Sequence, residues 1–185
     1  MERKMRQLRG FLPWITYPCA VALVDWRIAA AAALAVAVVA LVAGRASDSV
    51  DMFTIAAVVF FAGLFVVAVA APGSGVNHYV GALTPAALAV AATISIAVHR
   101  PFTIPFAKRV APREFWDTPI FMHINTVLTA VWATSFAVMA SVTAVVLALH
   151  LPASGLLVVQ IAGFVIPMRI CRSYPASVRA SYAAM

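Results

Sequence analysis

No Asp, Glu, Lys or Arg occurs between Thr54 and Val98, or again between Thr118 and Met168. A soluble helix keeps one face in water and places charges along it every few residues. A chain that omits them over many successive turns has hydrocarbon for its surroundings. The composition agrees, with 64% hydrophobic and 10% charged residues and a mean hydropathy of +1.00, where soluble domains carry about 25% charge. The fold class expected is therefore all-α, a polytopic transmembrane helical bundle forming a single integral membrane domain over residues 1–185.

A helix rises about 1.5 Å per residue, so crossing a ~30 Å hydrocarbon core takes about 20 residues. Six segments approach that length, roughly 10–24, 28–44, 52–71, 78–98, 119–150 and 152–168. The first is short and carries Pro13 and Pro18, which predicts a kinked or partly re-entrant helix, joined to the second by the tight turn Asp25-Trp26-Arg27. The fifth, at ~48 Å, has to tilt, kink or extend beyond the core.

Orientation comes from the cations, because cytoplasmic connections carry the excess of Lys and Arg. With six spans, all of the 13 Lys and Arg residues except Arg27 fall on one side. That predicts both termini on the cytoplasmic side of the cytoplasmic (inner) membrane. The opening MERKMRQLRG has the charge of a signal-peptide start, but Pro13, Pro18 and the Asp25-Trp26-Arg27 turn interrupt the apolar run after it, so it is expected to be a retained basic anchor. The net charge of +7 clusters beside apolar spans, which points to anionic lipid headgroups and away from nucleic acid.

The longest cytoplasmic connection is then 99–118, in which Phe102, Phe106, Phe115 and Trp116 alternate with Arg100, Lys108, Arg109 and Arg113. Aromatic rings favour the headgroup zone and cations favour an anionic leaflet. These eight residues are the candidate lipid or partner surface. Pro101, Pro105 and Pro112 exclude one continuous helix and leave room for a short one at about 105–110. Thr118 before Pro119 predicts the N-cap of the fifth span, with Asp117 favourable at its positive end.

Within the spans the polar positions are Asn125, Thr129, Thr134 and Gln160. Gln160 is expected to bond a neighbouring helix, at Thr134 or Ser135. At 100° per residue, Thr118, Asn125, Thr129, Trp132, Phe136, Thr143 and His150 share one line of the fifth helix, while His123, Thr134 and Ser141 lie nearly opposite. Polar groups on two faces predict a helix enclosed by others. His78, His99, His123 and His150 have the rough layout of axial ligands in a two-haem site. Their spacing opposes it, since His78 and His99 stand ~31 Å apart along one helix and His123 and His150 face opposite ways. Cys19 and Cys171 form no CxxC and no cluster with His, so no disulfide framework or zinc site is indicated. No catalytic, cofactor-binding or metal-binding residue is assigned.

The opening "FLPWITY" (Phe11 to Tyr17), a charged turn before an Ala-rich second span, a basic loop beginning "RPF", and Trp116 followed by Asn125 and Trp132 together resemble bacterial intracellular septation protein A-like proteins. Those are small polytopic inner-membrane proteins implicated in envelope and division processes. The resemblance covers about residues 8–140, implies a membrane interaction role and transfers no catalytic residue. The leading expectation is thus a non-enzymatic interaction or scaffold subunit of the cell envelope, with a membrane-protein partner or a second copy of itself. Alternatives are a small permease for a neutral or hydrophobic solute and a b-type haem redox protein.

Overall fold

The computed structural model of the chain describes residues 9–46 and 51–183. Among them all regular structure is helical. A 3-10 turn at Arg9–Phe11 precedes α1 (Leu12–Val21), α2 (Trp26–Arg45), α3 (Met52–Ala70) and α4 (Val76–Ala97). The one-turn α5 (Ile104–Ala107) and a 3-10 turn at Arg113–Phe115 come next, then α6 (Pro119–Ala148), a 3-10 turn at Ala153–Gly155 and α7 (Leu156–Ala183). Five helices are long and apolar enough to cross a membrane, namely α2, α3, α4, α6 and the Leu156–Tyr174 part of α7. The chain is a multi-pass helical membrane protein. Arg3, Lys4 and Arg6, on which part of the orientation argument rests, lie outside the described residues.

Two compact units divide the chain, Met1–Val80 and Gly81–Met185. In the first, α2 lays a stripe of small residues, Ala29, Ala30, Ala33, Ala37, Ala40 and Gly44, against its neighbours. Small side chains let helix backbones approach closely, which is how helices associate where lipid supplies no hydrophobic drive. From α3, Phe53, Thr54, Ala57, Phe61, Leu64 and Ala68 face inward at the matching spacing.

The first segment was expected to be short and interrupted. Its helix covers 10 residues, about 15 Å, half of a hydrocarbon core. Pro18 lies inside it and contributes no backbone N–H, and the chain turns at Ala22–Val24, where Leu23 and Val24 both donate to the Ala20 carbonyl at 2.9 Å. Its course beside α3 is nonetheless long. Phe11 meets Phe53 at 5.1 Å between ring centroids, Trp14 meets Phe60 and Phe61 at 5.4 Å each, and Tyr17 meets Phe61 at 5.7 Å. The Trp14 indole N–H donates to the Phe53 carbonyl at 3.4 Å. At the far end Arg27 donates to the Pro72 carbonyl at 3.3 Å, just beyond the end of α3. The first segment thus meets α3 from Phe53 to Phe61, and the start of α2 reaches the chain just past the end of α3.

In the second unit α6 and α7 form an antiparallel pair. Trp132, Phe136 and Phe164 make a ring triangle with centroid distances of 5.5, 5.9 and 6.1 Å. Beside it the Trp132 indole N–H donates to Cys171 Sγ at 3.3 Å. Ser135 donates to the Gly163 carbonyl at 2.7 Å, and a Cβ added at Gly163 would strike the Met139 side chain. The helix of α7 continues past Met168, where the sixth segment was expected to end. Arg169 and Arg172 end the apolar stretch but are good helix formers, so hydropathy stops there while the helix runs on.

Helix ends are set locally. Asp25 accepts from the Arg27 N–H at 2.9 Å, Asp51 from the Thr54 N–H at 2.9 Å, and Thr118 from the Phe121 N–H at 3.3 Å; these are the N-caps of α2, α3 and α6. Thr118-Pro119 begins α6 as expected. At the other ends, His99 and His150 have φ of 56° and 52°. Arg100 N–H donates to Ser95 O and His99 N–H to Ile96 O, each at 2.9 Å, and the same pair of bonds recurs at Leu151 and His150. Both histidines thus occupy the left-handed position of a Schellman stop, a place glycine usually fills.

Candidate interaction surface and buried polar cluster

The connection 98–118 is folded into two parts with different surroundings. Its first part turns inward. Pro101 is fully buried and Thr103 is 7% exposed. The inward turn has a hydrogen-bonding cause. Ser95 accepts from the Phe102 N–H at 3.3 Å, and the Thr103 hydroxyl lies 3.0 Å from both the Asn125 carbonyl and the Thr129 hydroxyl of α6. Arg100 stays exposed, while Phe102 and Phe106 are half-buried.

The second part is an exposed, braced surface. α5 carries Phe106 and delivers Lys108 at its C-cap, and the 3-10 turn delivers Arg113 and Phe115. Trp116 is anchored by its indole N–H, which donates to the Ala111 carbonyl at 3.1 Å. Lys108 Nζ lies 4.8 Å from the Trp116 ring centroid, the Arg113 guanidinium carbon 5.7 Å from the same centroid, and that of Arg109 5.7 Å from the centroid of Phe106. Six of the eight residues singled out from sequence, Phe106, Lys108, Arg109, Arg113, Phe115 and Trp116, therefore come together here. Val110, at 83% exposed, and Phe115, at 43%, add apolar surface. Charge and ring content pointed to the rings and cations, but nothing in their pattern singled out Val110.

The polar residues of the spans divide differently. Asn125 and Thr129 are fully buried and Thr143 nearly so, whereas His123, Thr134 and Ser141 are exposed. α6 thus has one buried polar line and one open one, and is not enclosed all round as the two polar lines suggested. Gln160 is half-buried, and the Ser135 hydroxyl expected to meet it bonds Gly163 instead, because a residue without a side chain lets the α7 backbone come within reach. Several hydroxyls are satisfied by their own helix, with Thr93, Thr126 and Thr143 each donating to the carbonyl four residues earlier at 2.7 to 3.0 Å. Asn125 is the exception. Its Nδ2 donates to the Phe121 carbonyl at 2.8 Å, but its buried Oδ1 has no partner among the described residues.

All four histidines are exposed, two of them at helix stops. Among the described residues no three His, Cys, Asp or Glu side chains gather as a metal site would need. Compared with family models, with curated proteins and with solved structures, the chain matches none.

Proposed function

We propose that the protein is a six-span subunit of the cytoplasmic (inner) membrane, with both termini on the cytoplasmic side, that acts by contact with another membrane protein rather than by catalysis. The observation that carries this reading is the braced loop. A connection that only enforced orientation would need its cations and nothing more. Here the cations are stacked on rings, the ring of Trp116 is tied to the backbone, and Val110 and Phe115 project apolar surface. A rigid, exposed patch that mixes aromatic, aliphatic and Arg side chains has the make-up of an interface core. The resemblance to intracellular septation protein A-like proteins points the same way.

The sixth crossing is supported by the course of α1. Ten helical residues alone do not reach across, but the contacts of Phe11 with Phe53 and of Arg27 with Pro72 carry residues 11–27 along nearly all of α3. If that segment crosses, the basic N-terminus joins the other cations on one side. If it does not, Arg3, Lys4, Arg6 and Arg9 stand with Arg27 opposite the rest, against the positive-inside rule.

Two experiments test the reading. A cysteine at Met5, in a variant lacking Cys19 and Cys171, is expected to react with an impermeant maleimide only after permeabilisation, as one at Val110 does, while one at Gly73 reacts in intact cells. Labelling of Met5→Cys from outside would remove the six-span topology. For the contact role, extraction from native membrane should yield a stoichiometric membrane protein with the wild type that is lost from Arg109→Glu/Val110→Asp. Its persistence in that variant would refute the loop as the contact surface.

A further inference from the structure

Trp116 holds two cations at once, and neither is neutralised. Lys108 reaches it from the end of α5 and Arg113 from the following 3-10 turn, at 4.8 and 5.7 Å from one ring centroid. Glu114 and Asp117 are neighbours in sequence, yet neither Lys108 nor Arg113 is paired with a carboxylate among the described residues. A cation on a ring face keeps N–H donors free for an anion. Two such cations gathered on one ring are a candidate anion clamp, because their side chains are already partly ordered before a ligand arrives.

The surroundings identify the kind of anion. The clamp stands in the segment that leads into the apolar helix α6. Val110 and Phe115, 83% and 43% exposed, lie in the same loop. A soluble anion would gain nothing from them, whereas at the headgroup level apolar and aromatic side chains meet the acyl boundary while cations meet phosphate. We propose that Lys108 and Arg113, held on Trp116, bind the phosphate of an anionic phospholipid headgroup. The assignment rests on the reading of 99–118 as an interfacial loop.

The full-length protein is reconstituted in nanodiscs of phosphatidylcholine and phosphatidylglycerol, and the lipid that remains bound on release is identified by native mass spectrometry. Wild type should retain phosphatidylglycerol over its share in the bilayer. Lys108→Gln and Arg113→Gln should each reduce that enrichment about fivefold, as expected for one cation at an anionic surface, and the double variant should abolish it. Lys108→Arg and Arg113→Lys should preserve it, which separates lost charge from lost folding. Trp116→Leu should weaken it at an unchanged thermal midpoint. Equal enrichment in wild type and the double Gln variant overturns the proposal. So does displacement of the lipid by millimolar inorganic phosphate, which would make this a site for free anions. An acidic protein that co-purifies with wild type and is lost with Lys108→Gln/Arg113→Gln, without lipid enrichment, also overturns it in favour of a protein ligand. A wild type that shows no lipid enrichment yet keeps the partner of Arg109 and Val110 refutes the lipid clamp alone.

Discussion

The hydroxyl of Thr103 lies 3.0 Å from that of Thr129, so a loop residue shares a buried hydrogen bond with the N-terminal half of a membrane helix. The same hydroxyl is 3.0 Å from the Asn125 carbonyl. One side chain therefore fixes how the connection after α4 docks on α6, and through α5 it sets the base from which Lys108 and Trp116 are presented.

Thr103→Val keeps the shape and removes both bonds. Each such bond is worth about 1 kcal/mol net, so a loss of about 1–2 kcal/mol is expected, with faster tryptic cleavage at Lys108, Arg109 and Arg113. Thr103→Ser should cleave at the wild-type rate. Equal cleavage of the Val variant and wild type would show that the loop docks without this contact.

Asn125→Leu is expected to stabilise the protein. The amide gives one bond to a helix carbonyl and leaves Oδ1 buried without a partner, a burden of about 1–3 kcal/mol that an apolar side chain of similar volume removes. Thermal unfolding in detergent reads the difference. A lower midpoint would mean that Oδ1 has a donor in the membrane that the chain itself does not provide.

Gly163→Ala places a methyl group against Met139 and should cost about 1–3 kcal/mol by overpacking. Met139→Ala opens the space it needs. A double-mutant cycle should show a favourable coupling between the two changes, and additive effects would mean that α7 simply shifts away.

His150→Gly should raise the unfolding midpoint, since a left-handed residue with a side chain is strained by about 1 kcal/mol relative to glycine. His150→Val, branched at Cβ, should lower it. If both variants match wild type, the turn at Leu149–Leu151 relaxes to another conformation without loss.

Gly10→Ala tests the start of the chain's first unit. A Cβ there would meet the Asp51 carboxylate, which caps α3 through the Thr54 N–H and hydroxyl, both at 2.9 Å. Displacing a cap costs about 0.5–2 kcal/mol. Asp51→Ala should cost as much alone, and adding Gly10→Ala to it should cost little more.

The long helices were legible because hydropathy and charge report the surroundings directly, and Thr118-Pro119 was legible because capping is local in sequence. The inward turn at Pro101 and Thr103 was not. Its cause is a pair of hydrogen-bonding groups on α6 more than twenty residues away, and no short-range pattern announces them. The opposite fates of Thr129 and Thr134 show the same limit. Periodicity placed them on opposite lines of one helix, but only packing decides which line is covered. The histidines illustrate a third case, since a spacing that invites a ligand reading is explained by two helix stops with positive φ. Phe11, Trp14 and Tyr17 stack on Phe53, Phe60 and Phe61, so the short motif at the start of the chain takes part in packing between α1 and α3.

The shortness of α1 bears on how the protein is made. A ten-residue helix containing proline offers too little apolar length to enter a bilayer unaided. Its aromatic contacts are with α3, which is synthesised some forty residues later. The ring contacts of the first segment can therefore form only once α3 has been made. Packing at this end is completed only after a third helix has been added to the chain.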